Sequence, residues 1–315
     1  MRQLGARFLR LVVVLFALSV VSFLSIRAIP GDPATTIALG SSDLQAKIKE
    51  VRKDLGLDQP LVVQYGRWAN HLLHGDLGKY YRAAGPSPAD EVRGALPISL
   101  MLVLYTQIVA LALAVPLGAV TAYRADRAFD RVVNVGAFLA LSIPSFIVGF
   151  LVKKYLALDN RVFPDSGWVP ITQDIWQHFR HVVLPVLTLV LAQIAVYFRL
   201  LRSDMIATLQ EDFITMAKSK GIRPRRVLFR HALRPSSLTL LTVAGLNIGT
   251  LISSTVVVEN IFQIKGMGFL LAQGILSGEY VATQSFIVIV GVVFVLVNFL
   301  VDFLYTVLDP RIRRA

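Results

Sequence analysis

The sequence predicts an all-α integral membrane protein with six transmembrane helices. Three observations carry that expectation. First, 55% of the 315 residues are hydrophobic and only 17% are charged, whereas soluble domains hold about a quarter. Second, five stretches of eighteen or more residues lack Asp, Glu, Lys and Arg: 94–123, 132–152, 181–198, 235–258 and 280–301. About 20 apolar residues cross a bilayer as a helix, so each reads as a span. Third, a shorter run, 11–26, lies between Arg10 and Arg27, which can snorkel to opposite interfaces and so complete a sixth span.

The elements follow in order. Arg2, Arg7 and Arg10 precede the first apolar run in the manner of a signal peptide. No small-residue cleavage site follows, only Arg27-Ala-Ile-Pro-Gly-Asp, so residues 1–29 read as a cytoplasmic N-terminus and a retained first span. Ile29-Pro-Gly-Asp-Pro33 breaks that helix as it leaves the membrane. Residues 43–55 fit an amphipathic helix with i,i+4 charge pairs, stopped by Gly56, and 61–74 fit a second that ends before Gly75-Asp-Leu-Gly78. Residues 30–93 thus form a small extracytoplasmic helical segment, either a solvated cover or a docking surface for a partner. Spans two to six occupy 94–308, with a kink at Pro144, a cytoplasmic loop over 203–235 and short outer loops at 158–180 and 260–283. Residues 309–315 are a tail.

Charge orients the chain. With the N-terminus inside, the four cytoplasmic pieces carry 18 Lys and Arg, against three in the two short outer loops. Both termini are expected in the cytoplasm of a cell-membrane protein. The net charge of +12 clusters beside span ends rather than on an aromatic-rich soluble face, which argues against nucleic-acid binding. The absence of cysteine excludes disulfides, thiolate metal sites and thiol catalysis. His178 and His181 lack a nearby carboxylate at ligand spacing, so no metal site is expected. No phosphate-binding loop, HExxH or GxSxG occurs, and mid-span positions hold almost no ionisable group; Asp302 lies toward the inner end of span six. The chain carries neither an energy source nor a catalytic centre, and no cofactor of its own is expected.

Small and mildly polar residues collect in spans three to five. They fit close helix packing or a shallowly polar path; the path candidates are Ser145, Gln193, Asn247 and Ser253, which should face the bundle interior.

The loop 199–236 is the most informative segment. Ile206, Leu209, Phe213, Met216 and Ala217 fall on one helical stripe, which Gly221 ends. Pro224 suits the first position of a second helix, limited by Pro235. The result is a helix–Gly–helix elbow with an acidic pair, Glu211 and Asp212, and a basic flank. A lipid-headgroup anchor would explain the arginines but neither the elbow nor the acids, which suit a groove on another protein.

This loop resembles the coupling loop of binding-protein-dependent ABC importer permeases, in the version found in dipeptide and oligopeptide permeases. Thr215-Met216-Ala217 stands at the Glu-Ala-Ala triplet and Gly221 at its glycine. PGDP (30–33), GDLG (75–78), SIPSF (142–146), HVVLPVLTL (181–189), VVVENIF (256–262) and GMG (266–268) extend the likeness along the chain. Three departures stand out: Pro235 where an Asn is common, Lys79-Tyr-Tyr-Arg82 without the usual Ser, and Lys153-Lys154 in a span end. The resemblance implies the type I ABC importer permease fold and a non-catalytic subunit. It also implies a second homologous permease, two ATPase subunits that hold ATP and Mg, an extracytoplasmic substrate-binding protein and a peptide substrate. Glu211, Asp212, Phe213, Thr215, Met216, Ala217 and Gly221 would couple to the ATPases. Close relatives carry nickel or glutathione; the rival class is a stand-alone channel or structural membrane protein.

Overall fold

The computed structural model describes residues 2–27, 32–39, 43–82 and 86–308, and within these the side chains of 9–25, 27 and those up to Val301. Every regular element among them is helical. The side chain of Asp302, Pro30 and Gly31 of the PGDP break, and the tail lie outside the described residues.

Among the described residues, four helices are long and apolar enough to cross a membrane: Pro88–Tyr123, Ile175–Leu209, Pro224–Ile261 and Tyr280–Val301. A bent pair, Ala128–Ser142 and Ser145–Asp159, makes up to five. The first helix, Arg2–Arg27, holds the shorter apolar stretch Leu9–Ser25 among the residues whose side chains are described. The third span is not one kinked helix. Ile143 and Pro144 are extended, and the two halves meet at 97°. A residue before proline is pushed out of the α region, and Pro144 then caps the second half.

The chain divides into two compact units. One comprises Met1–Ser99 and Lys265–Phe299. Here α1 (Arg2–Arg27) packs on α4 (Leu61–Leu73) through Phe23, whose ring centroid lies 5.3 Å from Tyr65 and 5.6 Å from Trp68. Between them lie α2 (Pro33–Ala38) and α3 (Leu44–Leu55). The short α2 was not expected, although Asp32-Pro33 supplies an N-cap that accepts the Thr35 N–H and a proline at the first turn. Gly56 ends α3 at φ +59, as expected. The region 260–283 is not a plain loop: it holds α12 (Met267–Ser277) before α13 (Tyr280–Leu308). The helix survives because Met267 is buried with Phe286 and Leu77, Leu270 and Leu271 pack against the same cluster, and Ser99 Oγ accepts the Met267 N–H at 2.8 Å.

Glu279 ties this unit together. Its carboxylate, 2% exposed, accepts the N–H groups of Tyr81 (2.8 Å) and Arg82 (2.6 Å), and Arg82 donates in turn to the carbonyls of Ile37, Thr36 and Ser277. The residues after GDLG are thereby fastened to the α12–α13 turn. Charge-assisted bonds of this kind are worth about 1.5–3 kcal/mol each. Glu279→Gln should therefore speed amide exchange at Tyr81 and Arg82 at least about tenfold; unchanged protection would remove the clamp from this account.

The second unit comprises Leu100–Ile264 and Leu300–Ala315. It holds the later part of α5 (Pro88–Tyr123), α6 (Ala128–Ser142), α7 (Ser145–Val152) with a π turn to Asp159, and α8 (Ile175–Leu209). Then come α9 (Asp212–Ser219), α10 (Pro224–Arg226), a π turn over Val227–Ala232 and α11 (Leu233–Ile261). At one end of the unit Asp130 and Arg202 form a two-bond pair, both at 2.6 Å, with Asp130 2% exposed and further held by Asn134 and the Asp126 N–H. Towards the start of α8, His178 is fully buried, with Nδ1 2.7 Å from the Val169 carbonyl and Nε2 3.0 Å from the Tyr105 hydroxyl. Its ring nitrogens are spent on structure. Lys153 does not lie free at a span end: its Nζ donates to the Ile261 carbonyl at 2.6 Å.

Candidate functional site

The elbow forms from local rules. Helix α8 ends at Leu209, where i→i−3 bonds from Gln210 and Glu211 tighten the last turn. Helix α9 restarts at Asp212, with that carboxylate in its first turn, where the helix dipole favours it. The expected continuous helix to Gly221 is thus two helices. The rotation at the break separates the expected stripe: Ile214 (0% exposed) and Ala217 (7%) turn inward, where α9 packs on the π turn over 227–232. Phe213 (46%) and Met216 (58%), three apart, stand outward with exposed Glu211, Asp212 and Thr215. Ala217 therefore supports the elbow rather than presenting its outer face.

Gly221 closes α9 at φ +72. Its N–H donates to Lys218 (3.0 Å) and the Ile222 N–H to Ala217 (3.3 Å), the paired bonds of a Schellman stop. Pro224 opens the next helix, as expected. Pro235 does not limit it: the helix runs unbroken into the span to Ile261. The π turn explains this, since its widened spacing relieves the proline ring and the bond that proline cannot donate. Ser236 Oγ, donating to Thr208 Oγ1 at 2.8 Å and the Ala232 carbonyl at 2.9 Å, joins the end of α8 to the start of α11.

Of the four path candidates, two meet. Asn247 Nδ2 donates to Gln193 Oε1 at 3.3 Å, between α11 and α8. Tyr197 on α8 donates to Gln107 Oε1 of α5 (3.0 Å), and Gln107 Nε2 donates to the Ala244 carbonyl (3.2 Å). The amides thus belong to a polar ladder linking three helices. Ser145, half-buried, opens α7, and Ser253 is exposed on α11; neither joins the ladder. Gln107 lies within a charge-free span, a sequence signal for this ladder, since a buried amide needs a partner.

Helices of this length and hydropathy, with one broken at a proline, define a multi-pass membrane protein in which Gln107, Gln193, Tyr197 and Asn247 pair between helices. Comparison with known proteins places it further. Residues 114–314 match the family described as binding-protein-dependent transport system inner membrane component, and residues 1–90 match the N-terminal family of the same membrane components. The chain belongs to this family of transport permeases, which are non-catalytic subunits. It is 36% identical to a protein of Brucella abortus named as a peptide transport system permease, over 95% of each chain. The oligopeptide transport system permease protein AppB of Bacillus subtilis is 32% identical, again over 95% of each. The nickel import system permease protein NikB of Staphylococcus aureus is 33% identical over 98% of this chain and 90% of its own.

Proposed function

We propose that this chain forms half of the translocation pathway of an ATP-driven importer for dipeptides or oligopeptides. A second homologous permease forms the other half, two ATPases dock from the cytoplasm, and an extracytoplasmic protein delivers the substrate. The observation that carries the reading is the outward Phe213–Met216 pair on α9, set by the Gly221 stop and followed by an unbroken helix into the membrane. Phe213 and Met216 are 46% and 58% exposed, so seating them in an ATPase groove gives roughly half of the 1.5–3 kcal/mol of full burial each, while exposed acids add only about 0–1 kcal/mol. ATP and Mg stay with the ATPases. The peptide relatives favour a peptide, and the nickel relative supplies the competing cargo.

Co-purification from gently solubilised membranes should bring down two ATPases and a second six-span permease. In vesicles, uptake of labelled dipeptide should depend on binding protein and ATP; nickel uptake in its place would change the cargo. Six spans with both termini cytoplasmic complete the proposal. On the cysteine-free background, cysteines at Ser41 and Ser277 should label with impermeant reagents from outside. A cysteine at Ser219, exposed on α9, should label only after permeabilisation. Outside labelling of position 219 would invert the topology and end the ATPase reading.

A further inference from the structure

The unit built from 1–99 and 265–299 encloses a partly open cavity of about 580 Å³, between α1, α4, the GDLG turn and the start of α13. None of the four path candidates belongs to that unit. The volume falls in the range of small-molecule pockets, and its wall has a definite chemical bias.

The carboxylates on the wall are already engaged. Asp54 takes Lys79 at 2.6 Å, and Asp76 takes His71 at 2.8 Å and the Gly78 N–H at 3.0 Å. The Gly78 bond comes first among the contacts that hold the Asp76 carboxyl below its ordinary range, so it stays anionic and paired. The guanidinium groups are different. Arg27 lies over the Phe23 ring at 3.6 Å and donates to the neutral Gln64, with no carboxylate among the described residues. Arg67 has neither hydrogen bond nor ion pair among the described residues. Gln284 also lines the cavity, and its Nε2, closed to solvent, has no hydrogen-bond partner among the described residues. Two uncompensated cations and an unspent donor thus share a wall with the apolar faces of Trp68, Leu57 and Val281.

We propose that this cavity binds a small carboxylate with an apolar body: the guanidinium of Arg67 and the amide of Gln284 take the carboxylate, and Trp68 covers the apolar part. Guanidinium is suited to the task because its planar fork matches a carboxylate. The site is separate from the proposed coupling function and stands whether or not the cargo is a peptide.

The test uses the full chain in lipid nanodiscs, with Trp168→Phe and Trp176→Phe so that Trp68 is the reporter. The probes are N-acetylleucine and its uncharged amide. Trp68 emission should change saturably with the acid, and the amide should bind at least about tenfold more weakly. Arg67→Gln and Gln284→Met should each weaken the acid by a similar factor. Gln284→Met should leave the melting temperature of the empty chain equal or higher, because it removes a buried donor without a partner. No saturable response up to about 10 mM, an equal response to acid and amide, or unchanged affinity in both variants would overturn the site.

Discussion

Gly221→Val in the assembled transporter is expected to cut substrate uptake at least about tenfold, the effect of about 1.4 kcal/mol of lost coupling. The cost has a single origin. A Cβ at Gly221 would meet nothing within 4 Å, so no clash contributes. The residue does sit at φ +72, which costs an L-residue roughly 1–2 kcal/mol and a β-branched one more. The relaxed alternative breaks the Ile222-to-Ala217 bond and swings Pro224, the first residue of the long helix. Membrane insertion should be normal, and stimulation of the ATPases by loaded binding protein should fall in step with uptake. Gly221→Asn, which tolerates the left-handed region, should keep most activity. Phe213→Ala tests the other half of the elbow by removing the larger exposed anchor. If Gly221→Val and Phe213→Ala both leave uptake and stimulated hydrolysis intact, the elbow anchors lipid instead.

A second large effect is expected at the Asp130–Arg202 pair. Arg202→Met leaves Asp130 charged and 2% exposed, held among the described residues by Asn134 and the Asp126 N–H alone. Breaking one side of a buried pair costs about 3–5 kcal/mol. The double variant Asp130→Leu with Arg202→Met should recover more than half of that, because an apolar pair carries no stranded charge. Denaturation of the full chain in nanodiscs reads both. A single-variant loss below about 1 kcal/mol would show that the pair behaves as a solvated one.

Much of this arrangement was legible because membrane physics leaves few choices. Charge-free runs of span length announce helices, and Gly56 and Gly221 announced stops that the φ angles +59 and +72 bear out. What stayed hidden depends on partners distant in sequence. Asp130 and Arg202 look like ordinary loop and span-end charges until α6 and α8 bring them together. Glu279 reads as a loop acid, yet its partners lie 198 and 197 residues away. The apolar stripe around Phe213 divides for a local reason: helical periodicity counts residues and does not register a turn tightened at Gln210 and Glu211. Pro235 was misread because a proline's effect depends on the turn before it, and nothing in its neighbours marks a π turn. At Pro144 the residue was right and the scale was not, since a missing bond predicts a bend but not its 97°.

The unbroken 38-residue run from Pro224 to Ile261 has a mechanical consequence. At 1.5 Å per residue a stiff rod of that length measures about 57 Å, so a swing of about 5° at the Pro224 end moves the other end by about 5 Å. Lys153 grips the Ile261 carbonyl at that far end, and the half-span behind it would be drawn along. If an ATPase docks on α9 as proposed, a short stroke there becomes a longer throw at the far end, and the π turn over Val227–Ala232 is a place where the rod can yield.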